Sequence, residues 1–210
     1  LSYIILGVIV LAVTIWLAQF LARDPSQKGL SPLGDKTEAN QDMPVDVVWS
    51  FGRLLRTKQF AMLSALYALT LFSSRTLQVH VAPYALDLGM TPANGAAILA
   101  TFGAVGMAGR IVMGIVSDRI GNRLSLVICS CVLVFSFIWL QGAKELLMLL
   151  VFAAALGFSH GGFFTILSPL VADMFGIGSH GMNFGIVMFS GTVGGAIGPI
   201  IAGRMFDASG

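Results

Sequence analysis

Six long apolar runs dominate the sequence and constrain its fold more than any other feature. They lie near 1–22, 59–83, 93–117, 124–141, 146–170 and 182–204. A helix needs about 20 apolar residues to cross the roughly 30 Å hydrocarbon core of a bilayer. The runs are close to that length, and they lack the two-residue alternation of barrel strands. They therefore predict an all-α, polytopic membrane helix bundle with six transmembrane helices.

The composition excludes several other classes of protein. Charged residues make up 10% of the chain and hydrophobic residues 56%, whereas a soluble domain carries about 25% charged residues. The net charge of +2 is too small, and the basic residues too scattered, for a nucleic-acid footprint. Cys129 and Cys131 lie one residue apart in an apolar run, which is neither a disulfide framework nor a metal spacing. We expect no metal, no cofactor and no nucleic-acid partner.

Enzyme motifs are absent or misplaced in this sequence. Residues 157–161 read Gly-Phe-Ser-His-Gly and match the GxSxG pattern of hydrolases. That motif works on a strained strand-to-helix turn, and here it lies inside a predicted membrane span. The glycine-rich run 191–198 lacks the GxGxxG spacing of dinucleotide sites. We therefore predict that the chain is not an enzyme.

The distribution of Lys and Arg between the loops predicts the orientation. The loop 23–58 carries six of them, and alternating sides gives eight against two. This loop should face the cytoplasm, because cytoplasmic loops carry the excess of positive charge. Within it, 47–57 has an apolar face opposite two arginines, which suits an interfacial helix; alternatively, it is the start of the next span. Residues 59–210 then form a transmembrane bundle.

Five basic side chains fall inside the predicted spans, namely those of Arg75, Arg110, Arg204, His80 and His160. A charge at the centre of a span costs about 2.5–3.5 kcal/mol even on lenient scales, so such residues mark candidate functional sites. Arg204 is near a span end, where its side chain can reach the interface. The two histidines are suited to proton coupling or ligand contact, or are hydrogen-bonded structural groups.

Arg110 is the strongest candidate for ligand binding. It lies eight residues before Asp118, which is about 12 Å along a helix. None of the six runs contains an acidic residue. A buried guanidinium without a protein anion can bind an anionic ligand through two parallel hydrogen bonds. The alternative is pairing with an acid elsewhere in the protein or with backbone carbonyls.

Several glycines recur at four-residue spacing, as in 157/161, 191/195 and 194/198. Helices in lipid pack through small residues that allow close backbone approach. We therefore predict that these glycines lie at helix–helix contacts.

The segment after the third run resembles a known family signature. Gly114, Asp118, Arg119, Gly121 and Arg123 are spaced as in the GxxxDRxGxR motif of the major facilitator superfamily. The resemblance implies that this is a conformational motif on the cytoplasmic side. It also implies that the chain corresponds to helix 6, the central loop and helices 7 to 11. This would be half of the superfamily fold, with the amino-terminal half as the missing partner.

Finer features resemble the monocarboxylate porter and oxalate–formate exchanger branch. They are Arg23-Asp24-Pro25 with Gly29-Leu30, Gly109-Arg110, Gly198-Pro199, Gly203 and Asp207. The resemblance implies that Arg110 binds the substrate carboxylate, that His80 lines the site and that Phe189 forms a wall.

Two departures from the branch bear on the substrate. Animal members have an acid where this chain has Gly106, and oxalate exchangers have a lysine where this chain has Ser190. A single cation favours a monocarboxylate over a dicarboxylate.

These observations predict a secondary active transporter of small organic anions, proton-linked or exchanging, in the plasma or inner membrane. Its partners would be the bilayer, the anion and a proton. The alternatives are a facilitator for another small solute such as a drug or sugar, and a non-transporting membrane sensor.

Overall fold

The computed structural model describes residues 11–16 and 51–209. The chain divides into two units, Leu1–Met43 and Pro44–Gly210. In the first unit the described stretch, 11–16, is helical and its side chains are exposed. The rest of the predicted first span, most of the predicted loop and residues 47–50 of the predicted interfacial helix lie outside the described residues.

The described part of the second unit consists of helices. They are α1 (Phe51–Leu55), α2 (Lys58–Asp87), α3 (Pro92–Ile120), α4 (Asn122–Leu140), α5 (Leu146–Phe175) and α6 (His180–Ser209). Five of them, α2 to α6, are long and apolar enough to cross a membrane. They coincide with the five predicted runs between 59 and 204. Most continue for several residues into polar sequence, because a helix does not need apolar side chains once it leaves the hydrocarbon.

The break between α3 and α4 is shorter than the predicted turn at 117–123. Only Gly121 interrupts the helices, with φ +87°, a conformation that glycine adopts without steric cost. Asp118 and Arg119 therefore lie on the last turn of α3, and Arg123 lies on the first turn of α4.

A polar contact ties this break to the end of α5. The side-chain nitrogen of Asn122 donates a hydrogen bond of 2.6 Å to the carboxylate of Asp173. The start of α4 is thereby connected to the last turn of α5.

Helices α3 and α5 run parallel and approach each other through glycines. A Cβ atom placed on Gly109 would lie 2.5 Å from the carbonyl oxygen of Phe158. A Cβ atom on Gly161 would clash with the carbonyl oxygen of Gly106. The predicted glycine contact at 157/161 is confirmed, since backbone meets backbone along this interface.

Helices α2 and α6 form a second parallel pair of the same kind. A Cβ atom on Gly194 would clash with the backbone of Ala68, and one on Gly198 would lie 2.6 Å from the carbonyl oxygen of Phe72. The predicted glycine contacts of the last span are therefore confirmed as well. The two pairs, α3/α5 and α2/α6, contact each other far less than the helices within each pair do.

The buried core consists of two apolar clusters at different depths. One contains Tyr67 and Phe163, and the other contains Ile98 and Phe152. On α5 the second cluster ends at Leu156 and the first begins at Phe163. The middle of α5 therefore lies between the clusters, and the polar side chains described below are found there.

Candidate anion-binding site

Arg110 projects from α3 with an exposed side chain. Its Cζ atom lies over the ring of Phe164, 5.2 Å from the ring centroid. Its backbone oxygen accepts a hydrogen bond of 3.3 Å from the hydroxyl of Thr165. Every carboxylate among the described residues lies at or next to a helix end; these residues are Asp87, Asp118, Glu145, Asp173 and Asp207. None of them pairs with Arg110.

Four rings from α2, α3 and α5 form a continuous aromatic row beside this guanidinium. The ring of His160 lies between those of Phe102 and Phe164, with both centroid distances at 5.4 Å. The ring of Phe164 also meets that of Tyr67 on α2, at 6.2 Å. The hydroxyl of Tyr67 donates to the sulfur of Met188 on α6, at 3.2 Å. Side chains from α2, α3, α5 and α6 therefore contact one another along this row.

Arg75 is a second cation near this row. Its side chain is exposed, and Nη1 donates a hydrogen bond of 2.9 Å to the amide oxygen of Gln78. Arg75 lies eight residues beyond Tyr67 on α2, which is about 12 Å along the helix axis.

His80 lies at a different depth from Arg110. A Cβ atom on Gly95 would lie 3.3 Å from Ala82, which fixes the register of the antiparallel helices α2 and α3. In that register Arg110 is level with Tyr67. His80 lies 13 residues beyond Tyr67, about 20 Å along the helix axis. The structure does not bring His80 and Arg110 together.

A separate cavity accommodates His80. Its volume is about 630 Å³, and it is lined by α2, α4, α6 and the residue after α4, including Tyr84, Asp87, Phe137 and Gln141. Nε2 of His80 lies 3.1 Å from the carbonyl oxygen of Pro199. The histidine that the resemblance implied as a ligand is therefore already hydrogen-bonded to α6.

Phe189 is 69% exposed on α6, and no described contact joins it to Arg110. The ring next to Arg110 belongs to Phe164 on α5, which sequence reasoning missed. A signal was present, because His160 and Phe164 are four residues apart and so share one helix face.

Chemically, this arrangement can hold an organic anion. The guanidinium of Arg110 offers a planar set of donors, and the rings beside it offer an apolar wall. Among the described residues no group of three or more His, Cys, Asp or Glu side chains is placed to hold a metal ion.

A bundle of five membrane-length helices with cationic side chains near mid-depth is the architecture of an integral membrane protein. A family model described as Major Facilitator Superfamily matches residues 1–199. The chain belongs to this superfamily.

The similar curated proteins are transporters. The chain is 24% identical over 160 residues to monocarboxylate transporter 12 of Homo sapiens, covering 74% of this chain and 31% of the relative. It is 30% identical over 142 residues to human monocarboxylate transporter 11, covering 63% and 30%. It is 33% identical over 126 residues to MFS-type transporter 1 of Ophiocordyceps sp. (strain BCC 1869), covering 57% and 28%. The chain spans about a third of the length of these relatives.

Proposed function

We propose that the chain is the carboxyl-terminal half of a secondary active transporter of small organic anions, with monocarboxylates as the substrate class. The substrate site lies at Arg110, and transport proceeds by alternating access with an amino-terminal half that completes the cavity. The loop 23–58 faces the cytoplasm, and the protein resides in the plasma or inner membrane.

The observation that carries this proposal is the environment of Arg110. The residue is four positions from the middle of the 29-residue helix α3, about 6 Å along the axis. Among the described residues its guanidinium contacts an aromatic ring and pairs with no carboxylate. A charge at this depth cannot face lipid cheaply, so the exposed side of Arg110 must line a polar cavity. The similarity to monocarboxylate transporters 11 and 12 supports a carboxylate as the ligand.

Uptake of labelled lactate into proteoliposomes that contain the full-length protein tests this proposal. Replacing Arg110 with Gln removes the charge and retains much of the volume. Loss of one partner of a desolvated charge pair costs about 2–5 kcal/mol, so transport efficiency should fall by more than about 30-fold. Arg204→Gln is the matched control, because Arg204 lies exposed near the end of α6. Equal lactate uptake by Arg110→Gln and the wild type would refute the assignment.

A further inference from the structure

His160 lies next to the proposed site, one aromatic ring away from Arg110. It lies at the midpoint of α5, which runs from Leu146 to Phe175, and its ring is held between Phe102 and Phe164. Nδ1 is enclosed by protein and has no hydrogen-bond partner among the described residues. A structural hydrogen bond at Nδ1 therefore does not explain why a histidine occupies this position.

The charges around His160 are all positive among the described residues. The guanidinium of Arg110, on α3, and the ring of His160 both contact Phe164, and α2 carries Arg75 with an exposed side chain. The ring of Tyr67 contacts that of Phe164, and its hydroxyl donates a hydrogen bond to the sulfur of Met188 on α6. On α4 the nearest titratable group is Cys129, which packs at Gly162. In the part of the chain that the structure describes, every carboxylate lies at or next to a helix end, away from the midpoint of α5.

We propose that His160 is the proton-binding residue of the transport cycle and takes up its proton together with an anion bound at Arg110. This inference rests on the proposed function, because it requires an anion at Arg110. A proton from the aqueous side adds to the lone pair of an imidazole nitrogen and leaves by the reverse step after the site opens to the other side.

The coupling follows from simple electrostatics. An imidazolium at this position would be repelled by the positive charge of Arg110, since both side chains contact Phe164. A carboxylate bound to Arg110 brings a negative charge close to His160 and offsets this repulsion. Bound anion and bound proton therefore stabilise each other, and this mutual stabilisation is what couples their transport.

The other two histidines already have partners. Nε2 of His80 contacts the carbonyl oxygen of Pro199, and Nε2 of His180 contacts the hydroxyl of Ser168 at 3.2 Å. All three histidines of the chain lie in the described residues. His160 is the one among them without a hydrogen bond.

Proteoliposomes with the full-length protein provide the test. Proteoliposomes that contain the wild-type protein are placed in a buffer one pH unit more acidic than their interior. If one proton is coupled to each lactate, they should concentrate labelled lactate about tenfold inside. His160→Gln should still exchange lactate for lactate but should show no accumulation in the same gradient. His180→Gln is the matched control and should accumulate lactate like the wild type. Accumulation by His160→Gln, or none by the wild type, would overturn the proposal.

The proposed function fails in a different way. It fails if the wild type shows no lactate exchange, or if Arg110→Gln exchanges lactate as fast as the wild type. A third outcome separates the two proposals. If the wild type exchanges lactate in a way that requires Arg110 but does not accumulate it in the pH gradient, the anion site is supported and the role of His160 is refuted.

A second measurement does not depend on the folding of a variant. Calorimetric titration of the wild-type protein with lactate, in two buffers of different ionisation enthalpy, counts the protons taken up on binding. Uptake of about one proton per lactate is expected from this linkage. Equal heats in the two buffers would contradict it.

Discussion

The guanidinium of Arg110 lies over the ring of Phe164, with 5.2 Å between Cζ and the ring centroid. The two residues come from α3 and α5, the pair of helices in closest backbone contact. The Phe164 ring contacts the guanidinium on one face, and the N–H donors of Arg110 remain available for a ligand. If Arg110 binds a carboxylate as proposed, the packing of α3 on α5 sets the direction from which that carboxylate reaches it.

The first prediction concerns the geometry of the cation. Arg110→Lys keeps the charge but loses the planar pair of donors that binds a carboxylate. We expect affinity for lactate to fall about tenfold, which corresponds to about 1.4 kcal/mol. Competition binding with purified full-length protein measures this. An unchanged affinity would indicate that Arg110 acts only as a point charge.

The second prediction concerns the aromatic support. Phe164→Ala removes a cation–π contact worth about 0.5–2 kcal/mol, so the KM for lactate should rise roughly 2- to 30-fold. Phe164→Tyr should retain most of the affinity. Phe189→Ala tests the aromatic wall that the family resemblance implied. If it raises KM more than Phe164→Ala does, the wall lies on α6 and not on α5.

A third prediction concerns the glycine interface. Gly109→Ala places a methyl group 2.5 Å from the carbonyl oxygen of Phe158, whereas Gly103 on the same helix has nothing within 4 Å. Overpacking of this kind costs about 1–3 kcal/mol, so the apparent Tm in detergent should fall by roughly 2–12 °C. Gly103→Ala should leave it unchanged or slightly higher. Equal Tm values for the two variants would contradict the close approach of α3 and α5.

The contact between Asn122 and Asp173 provides a fourth prediction. Their 2.6 Å hydrogen bond involves a carboxylate at an exposed position, and a coupling of about 0.5–1.5 kcal/mol is expected. A double-mutant cycle with Asn122→Ala and Asp173→Ala, followed by thermal unfolding, measures it. Strict additivity of the two effects would show that the bond does not stabilise the bundle.

The fifth prediction concerns orientation. With loop 23–58 in the cytoplasm, the connection between α2 and α3 faces outward and the one between α5 and α6 faces inward. In a variant with Cys129 and Cys131 replaced by Ser, a membrane-impermeant thiol reagent should label Thr91→Cys in intact cells. Ile177→Cys should react only after the cells are opened. The opposite pattern would invert the topology.

The sequence predicted the five helices α2 to α6, because their lengths follow from the thickness of the bilayer. It also placed glycines at the helix contacts, since small residues at four-residue spacing have few other roles in lipid. It did not predict that Phe164 lies beside Arg110, or that His80 lies about 20 Å from it along the axis. Both facts depend on how far one helix slides along another. That register is fixed by contacts such as Gly161 on Gly106 and Gly95 on Ala82, whose partners are far apart in the chain.

The two glycine-packed pairs have a further consequence. Arg110, His160 and Phe164 all belong to α3/α5, whereas Arg75 and His80 belong to α2/α6. If the pairs shift as rigid blocks, the proposed anion site at Arg110 keeps its shape, while the distance from Arg75 to that site changes. Such a displacement would alter the electrostatic potential felt by the cargo without breaking any contact that holds it.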